Sequence, residues 1–257
     1  MIDIGANLTH DSFNKDRKQV IDRAIDAGVT TMIVTGSNQE CSQKAYDLTQ
    51  EYPEYLHSTV GFHPHHASEY TGESEDLILQ LIKHDKVVAI GETGLDYFRD
   101  ISSREAQVFS FEQHIKLAIQ TGAPLFLHQR EAHEDFYTII KEHRDKISNL
   151  VVHCFTDTKK ALFDYIDLDC HIGITGWICD ERRGLHLREL VKNIPDDRLM
   201  IETDSPYLVP RDLKLKTRRN EPKNLPHIAQ VVADLRQQEQ SELVRITTKT
   251  TTKFFKI

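Results

Sequence analysis

Val87-Val88-Ala89-Ile90-Gly91-Glu92-Thr93-Gly94-Leu95-Asp96 opens with four apolar residues, meets a glycine and then turns polar. A continuous apolar run of this length reads as a parallel strand buried on both faces. The expected strand is therefore Val87–Ile90, with Glu92 just past its C-terminal end. The same pattern recurs at Ile2–Ile4, Thr31–Thr35, Ser58–Gly61, Leu125–Leu127, Leu150–Val152, Ile172–Thr175 and Leu199–Ile201. That makes eight strands.

Between these runs lie segments of helical period. Val108, Phe111, Ile115 and Ala118 recur at spacings of three and four, and Ser102 with Glu105 has the spacing of a capping box. Lys15–Ala27 gathers Val20, Ile21, Ala24 and Ile25 on one face, with Gly28 as a stop. Leu225 to Phe255 reads as two helices around Gln238–Ser241. Strand-helix alternation implies a parallel sheet, and eight repeats favour closure into a (β/α)8 TIM barrel. The 257 residues are close to the usual size for one such barrel. With no Pro/Gly/Ser-rich linker or composition break, residues 1–257 are expected to form a single domain.

The net charge of −8 argues against a protein that coats nucleic acid. It leaves room for an enzyme that grips phosphates through a metal and a few local arginines. No apolar run is long enough to cross a bilayer, and Met1 leads straight into a strand without an export leader. Cys41, Cys154, Cys170 and Cys179 have no paired spacing, as in a reducing compartment. The expectation is a cytoplasmic protein without a membrane partner, for which a monomer suffices.

Residues just past the strands of such a barrel converge on one mouth, where active sites sit. Strand three runs into Gly61-Phe62-His63-Pro64-His65-His66, strand five ends in His128, strand six in His153, and strand eight in Glu202-Thr203-Asp204. Any one of these residues reads equally as a satisfied polar group, or, for a carboxylate, as a helix cap. Glu92, His128, His153 and Asp204 together, from four separated strand ends, read as a shell of mixed nitrogen and oxygen donors for a divalent metal. His10, His57, His84, His114, His143 and His171 lack that alignment and are expected at the surface or behind the ligands. His65 and His66 are expected at the rim.

Seven segments together resemble the TatD family of metal-dependent deoxyribonucleases, within the amidohydrolase-like barrels. They are Asp3–Thr9, Gly61–His65, Ala89–Asp96, Leu150–Thr156, Ile172–Gly176, Ile201–Leu208 and Arg219–Pro222, and they span the chain in family order. The first of them and Gly176–Gly184 are most similar to the bacterial TatD branch. The resemblance implies the barrel, phosphodiester hydrolysis of DNA and also RNA, a divalent ion, and 3′-5′ exonuclease action on single strands. By position it places the metal ligands at Glu92, His128, His153 and Asp204, and a substrate contact at His63.

One motif departs from the family. Where much of the family has His-x-His at the end of strand one, this chain has Gly5-Ala6-Asn7. Two nitrogen donors are missing, which leaves a second ion weakly held and tilts the expected metal from Zn2+ to Mg2+, or to Mn2+. Restoring both histidines is expected to fill the second site.

The expected chemistry follows. Glu92, His128 and His153 hold the ion, Asp204 orients or deprotonates the attacking water, and His63 donates to the phosphate or leaving oxygen. Arg182, Arg183, Arg218 and Arg219, in loops after strands seven and eight, are candidate phosphate clamps. Phe62, Trp177 and Tyr207 are candidate platforms for bases. The alternatives are a metal-dependent amidohydrolase or lactonase acting on a small molecule, since one barrel supports many chemistries, and a scaffold without activity. An arginine-rich mouth separates the first alternative from a nuclease.

Overall fold

A computed structural model describes residues 1–215 and 218–257. Strands and helices alternate along the chain. In order they are β1 (Ile2–Ala6), α1 (Arg17–Asp26), β2 (Thr31–Val34), α2 (Gln39–Glu51), β3 (Leu56–Val60), α3 (Gly72–Leu81), β4 (Val87–Asp96) and α4 (Arg104–Thr121). There follow β5 (Leu125–Arg130), α5 (His133–His143), β6 (Leu150–Val152), α6 (Lys159–Asp167), β7 (His171–Ile174), α7 (Leu185–Leu190), β8 (Leu199–Ile201), α8 (Leu225–Arg236) and α9 (Gln240–Phe255). The eight strands pair in sequence order, all parallel. The ends meet where Asp204 N donates to Gly5 O at 2.8 Å and Asn7 N to Ser205 O at 2.7 Å. This is the (β/α)8 barrel.

Strand alternation divides the apolar residues into two cores. Ile2, Ile4, Ile33, Val88, Phe126, Val151 and Met200 form one cluster from the strands, with Phe254 and Phe255 of α9 packed on it. The larger core lies between strands and helices and takes, for example, Phe111, Ile115 and Ala118 of α4. The helical period read from the sequence is thus the face that α4 buries.

The strand bounds differ from expectation where it matters most. β4 and β5 run on to Asp96 and Arg130, so Glu92 and His128 lie inside strands and not beyond them. The polar residues extend the ladder because Gly94, Leu95 and Asp96 pair with His128, Gln129 and Arg130. Between Gly91 and Thr93 the register slips and leaves Glu92 as the extra residue, its amide turned to Gly36 O at 2.8 Å. Such bulges re-aim a side chain beside active sites. Gly91 has φ +140 here, and a Cβ on it would lie within 2.0 Å of Phe126 O, so only glycine permits the bulge.

The start of α4 also differs. Its cap is Ser103, whose hydroxyl accepts from Ala106 N, and not Ser102. The Ser102 hydroxyl is engaged elsewhere: it donates to His65 O at 3.0 Å and accepts from Ser68 N.

Candidate metal centre

One carboxylate oxygen organises the barrel mouth. Glu92 Oε1 lies 2.7 Å from His153 Nε2, 3.0 Å from His128 Nδ1 and 3.3 Å from His63 Nε2. The bulge of β4, the long β5 and the end of β6 deliver the first three of these residues. His63 comes from the turn after β3, where its Nδ1 accepts from His65 N at 3.0 Å. Ligating atoms of His63, Glu92 and His128 all fall within 4.8 Å of one another. His63 therefore reaches the same carboxylate as the expected histidine ligands, at a slightly longer distance.

Further carboxylates hold two of the imidazoles from behind. His128 Nε2 lies 3.3 Å from Asp96 Oδ2, which His65 Nε2 approaches to 3.0 Å. His153 Nδ1 lies 3.3 Å from Glu202 Oε2, and Glu202 Oε1 accepts from Cys154 N at 2.5 Å. Asp96 and Glu202 were not singled out from sequence, although both sit in the quoted strand-end motifs. The available signal was spacing: Glu202 and Asp204 are two apart, as are side chains on one strand face. Asp3, equally unremarked, binds the β1 end to β8 by accepting from Thr203 N and from its hydroxyl.

The electrostatics follow from burial and these contacts. Burial alone raises Glu92, yet His63, His153 and His128 hold it well below the usual carboxylate range. Burial lowers His128 and His153, but Asp96 and Glu92 around the first, and Glu92 and Glu202 around the second, leave both above the ordinary imidazole value. His63 goes the other way, pushed down to about 4, chiefly by burial. Asp204 is pushed up to about 7 by burial, with Glu92 and Glu202 adding to the rise and His153 opposing it. Its Oδ1 accepts from Asn7 Nδ2 at 2.9 Å.

The missing histidines of β1 have a steric counterpart. A Cβ on Gly5 would sit 2.4 Å from Glu202 Oε2, and one on Gly173 would sit 2.5 Å from Glu202 Oε1. Glu202 is fully buried between the two glycines. The expectation that Gly5→His simply adds a ligand is corrected: a side chain there collides with a carboxylate already in place.

A cavity of about 480 Å³ opens above the centre, lined by His63, Glu92, Asp96, His128, His153 and Asp204. Arg99, Arg130, Arg183, Trp177 and Tyr207 also face it. Arg130 stacks on Phe98, 3.9 Å from its ring centre, and Arg183 lies 5.8 Å from that of Trp177. Arg99 and Arg130, at the ends of β4 and β5, were overlooked as candidate phosphate contacts.

Two expected substrate contacts are corrected. Phe62 is 1% exposed, packed edge-on against Tyr70, with its amide donating to the buried His114, so no base can stack on it. Arg219 turns away from the cavity and binds Asp16 and Glu221 at 2.7–3.0 Å and the Ser12 carbonyl at 2.6 Å. Its guanidinium closes an ion-pair network that a phosphate would have to break. Arg182 is exposed beside Asp180 and Arg218 is exposed, both outside the cavity lining.

Comparison with known proteins agrees with this fold and gives a family. The family model of TatD-related DNases matches residues 2–256. A protein of Erwinia billingiae named 3′-5′ ssDNA/RNA exonuclease TatD is 48% identical over 259 residues, covering 100% of this chain and 99% of the relative. One of the same name from Shigella flexneri is 46% identical over 249 residues, covering 96% and 95%. Among solved structures, a TatD homologue from Escherichia coli superposes with TM-score 0.92 at 26% identity, covering 100% and 98%.

Proposed function

The chain belongs to the family of TatD-related DNases, and from that premise we propose that it is a divalent-metal-dependent nuclease, trimming single-stranded DNA and RNA from the 3′ end. Residues 1–257 are taken as one hydrolase barrel domain, working as a monomer in the cytoplasm. Among the described residues no helix is long and apolar enough to cross a membrane.

The observation that carries this reading is the crowding of three imidazoles around Glu92 Oε1. Without a cation each such contact needs a proton between nitrogen and oxygen. Glu92, His128 and His153, with Asp204 lining the same cavity, would hold a divalent ion in place of the protons that His128 and His153 would otherwise need toward Glu92. The tautomers fit. Glu202 accepts from the Nδ1–H of His153 and Asp96 from the Nε2–H of His128, leaving in each neutral ring the lone pair that faces Glu92. His63 differs: its Nδ1 accepts from a backbone amide, so the neutral ring keeps its proton on Nε2 and is a donor and not a ligand. When bound, the ion supplies Lewis acidity toward a phosphate oxygen and the attacking water. Mg2+ is the proposed ion on the strength of the carboxylates, and three imidazoles nearby also suit Mn2+ and Zn2+.

Asp204, with a pKa raised toward neutrality, orients the water and accepts its proton. The Nε2–H of His63 donates to the phosphate or leaving oxygen. Arg99, Arg130 and Arg183 meet the backbone phosphates, and Trp177 and Tyr207 offer faces for terminal bases. An amidohydrolase or lactonase for small molecules is the second reading, and neutral amides have no use for three arginines at the mouth.

The test is digestion of end-labelled single- and double-stranded oligonucleotides with Mg2+, Mn2+, Zn2+ or chelator. Stepwise shortening of single strands from the 3′ end, abolished by chelator, is expected. Internal cutting of a closed circular single strand would overturn the exonuclease reading, and hydrolysis only of small amides would favour the alternative.

A further inference from the structure

Behind the mouth, a second group of metal-ligating side chains stands apart from the centre at Glu92. Cys179, Asp212 and His227 place a thiol, a carboxylate and an imidazole with their ligating atoms all within 4.8 Å of one another. His227 Nε2 lies 2.8 Å from Asp212 Oδ1. The three come from different parts of the chain: the 3-10 turn Gly176–Cys179 after β7, the loop after β8, and the start of α8. None of them lines the catalytic cavity. We propose that this cluster is a second cation site, built for a thiolate-binding transition metal, zinc by its chemistry.

The donor set decides the class of ion. Sulfur with nitrogen and one oxygen suits zinc, with a water completing the tetrahedron, whereas magnesium and calcium avoid thiolates. Cys179 is buried, while Asp212 is exposed and His227 partly so, which leaves solvent a route to the cluster. Burial, with the Asp212 carboxylate adding, pushes the thiol up to about 12 against the pull of Arg188. The metal-free cluster therefore holds a proton on sulfur. Coordination forms the sulfur–metal bond, breaks the S–H bond and releases that proton to water.

The placement gives the ion a structural task. The 3-10 turn carries Trp177 to the cavity wall, with Arg183 six residues on. It packs so closely under the post-β8 loop that a Cβ on Gly176 would lie 2.4 Å from Leu208 O. An ion at Cys179 cross-links turn, loop and α8, and so fixes the side of the mouth where Trp177 and Arg183 meet substrate. Its presence does not depend on the nuclease reading.

Chelator-stripped protein titrated with Co2+ tests this, because a thiolate ligand gives an intense near-ultraviolet charge-transfer band that nitrogen and oxygen ligands do not. The band is expected in the parent protein, in Cys154→Ser and in the doubly substituted Glu92→Ala, His128→Ala protein, and in the last of these one equivalent of Zn2+ should abolish it. It should vanish in Cys179→Ser. His227→Ala, at a partly exposed position, should weaken Co2+ binding roughly tenfold or more, the scale on which even residues behind a ligand act. Absence of the band in the parent, its survival in Cys179→Ser, its loss in Cys154→Ser, or unchanged affinity in His227→Ala would each overturn the proposal.

Discussion

A Cβ on Gly5 would lie 2.4 Å from Oε2 of Glu202, so the bare α-carbon in β1 is what gives that carboxylate its place beside His153. Glu202 has no free direction in which to yield. Gly173 lies on its other side, and its two oxygens are taken by the His153 ring and the Cys154 amide. A residue at position 5 thereby controls an imidazole that it does not touch.

Gly5→His with Asn7→His is accordingly expected to weaken metal binding and not to strengthen it. The new imidazole displaces Glu202 from His153, and loss of Asn7 removes the amide that donates to Asp204 at 2.9 Å. A buried carboxylate without partners costs several kcal/mol, so the melting temperature should fall as well. Calorimetric titration with Mn2+ beside a thermal melt reads both. Tighter binding of a second ion in a protein of unchanged stability would show that Glu202 yields freely.

Glu202→Gln isolates the charge. An amide nearly fills the same volume but presents its NH2 to one of two donors, so the His153 ring loses its fixed tautomer. Metal affinity should drop roughly 10- to 100-fold, with kcat recovering as metal is raised to saturation. A loss of kcat that saturating metal fails to restore would place Glu202 in the chemical step itself.

The barrel was legible because strands buried on both faces are written as plain apolar runs, as at Leu150–Val152 and Leu199–Ile201, where the expected and observed bounds coincide. Polar ladders are harder to read. Gly94 to Asp96 pair with His128 to Arg130, yet their composition says loop. The convergence of Glu92, His128, His153 and Asp204 on one cavity followed from strand order alone. Roles for Asp96, Glu202 and the Gly5 gap did not, because which carboxylate backs which ring depends on side-chain direction across strands distant in sequence. Arg219 misled for a related reason: its position in the post-β8 loop was readable, and its partner Asp16 was not.

Arg130→Ala and Arg183→Ala should raise KM for single-stranded oligonucleotides and leave kcat nearly unchanged, since both line the cavity and neither is among the groups that contact Glu92. Each lost phosphate contact should flatten the log-log salt dependence of binding by about 0.7. Arg182→Ala, outside the cavity lining, is the control. Equal effects from all three would mean that the field of the surface and not these contacts holds the strand.

Arg219→Ala should cost stability and spare substrate binding. The guanidinium joins Asp16, next to α1, to Glu221, which Arg23 also grips at 2.8 Å. These groups are neither fully buried nor free in solvent, with Glu221 5% exposed and Asp16 31%. The expected loss lies between those of a surface and a buried pair, about 1–3 kcal/mol. That corresponds to a fall in melting temperature of roughly 2–4 °C per kcal/mol for a chain of this size. The pH dependence fixes the cause. Arg219 hydrogen bonds, against burial, hold Asp16 down to about 2 from its ordinary 3.8, with Arg23 helping. A carboxylate whose folded pKa is depressed stabilises the fold above its unfolded value and loses that contribution as pH falls through the folded one. The parent should therefore shed this increment between about pH 4 and pH 2. The variant, keeping only Arg23 beside Asp16, should shed less over the same interval while KM for oligonucleotides stays within about twofold. Raised KM at unaltered stability would instead return Arg219 to the phosphate-binding surface.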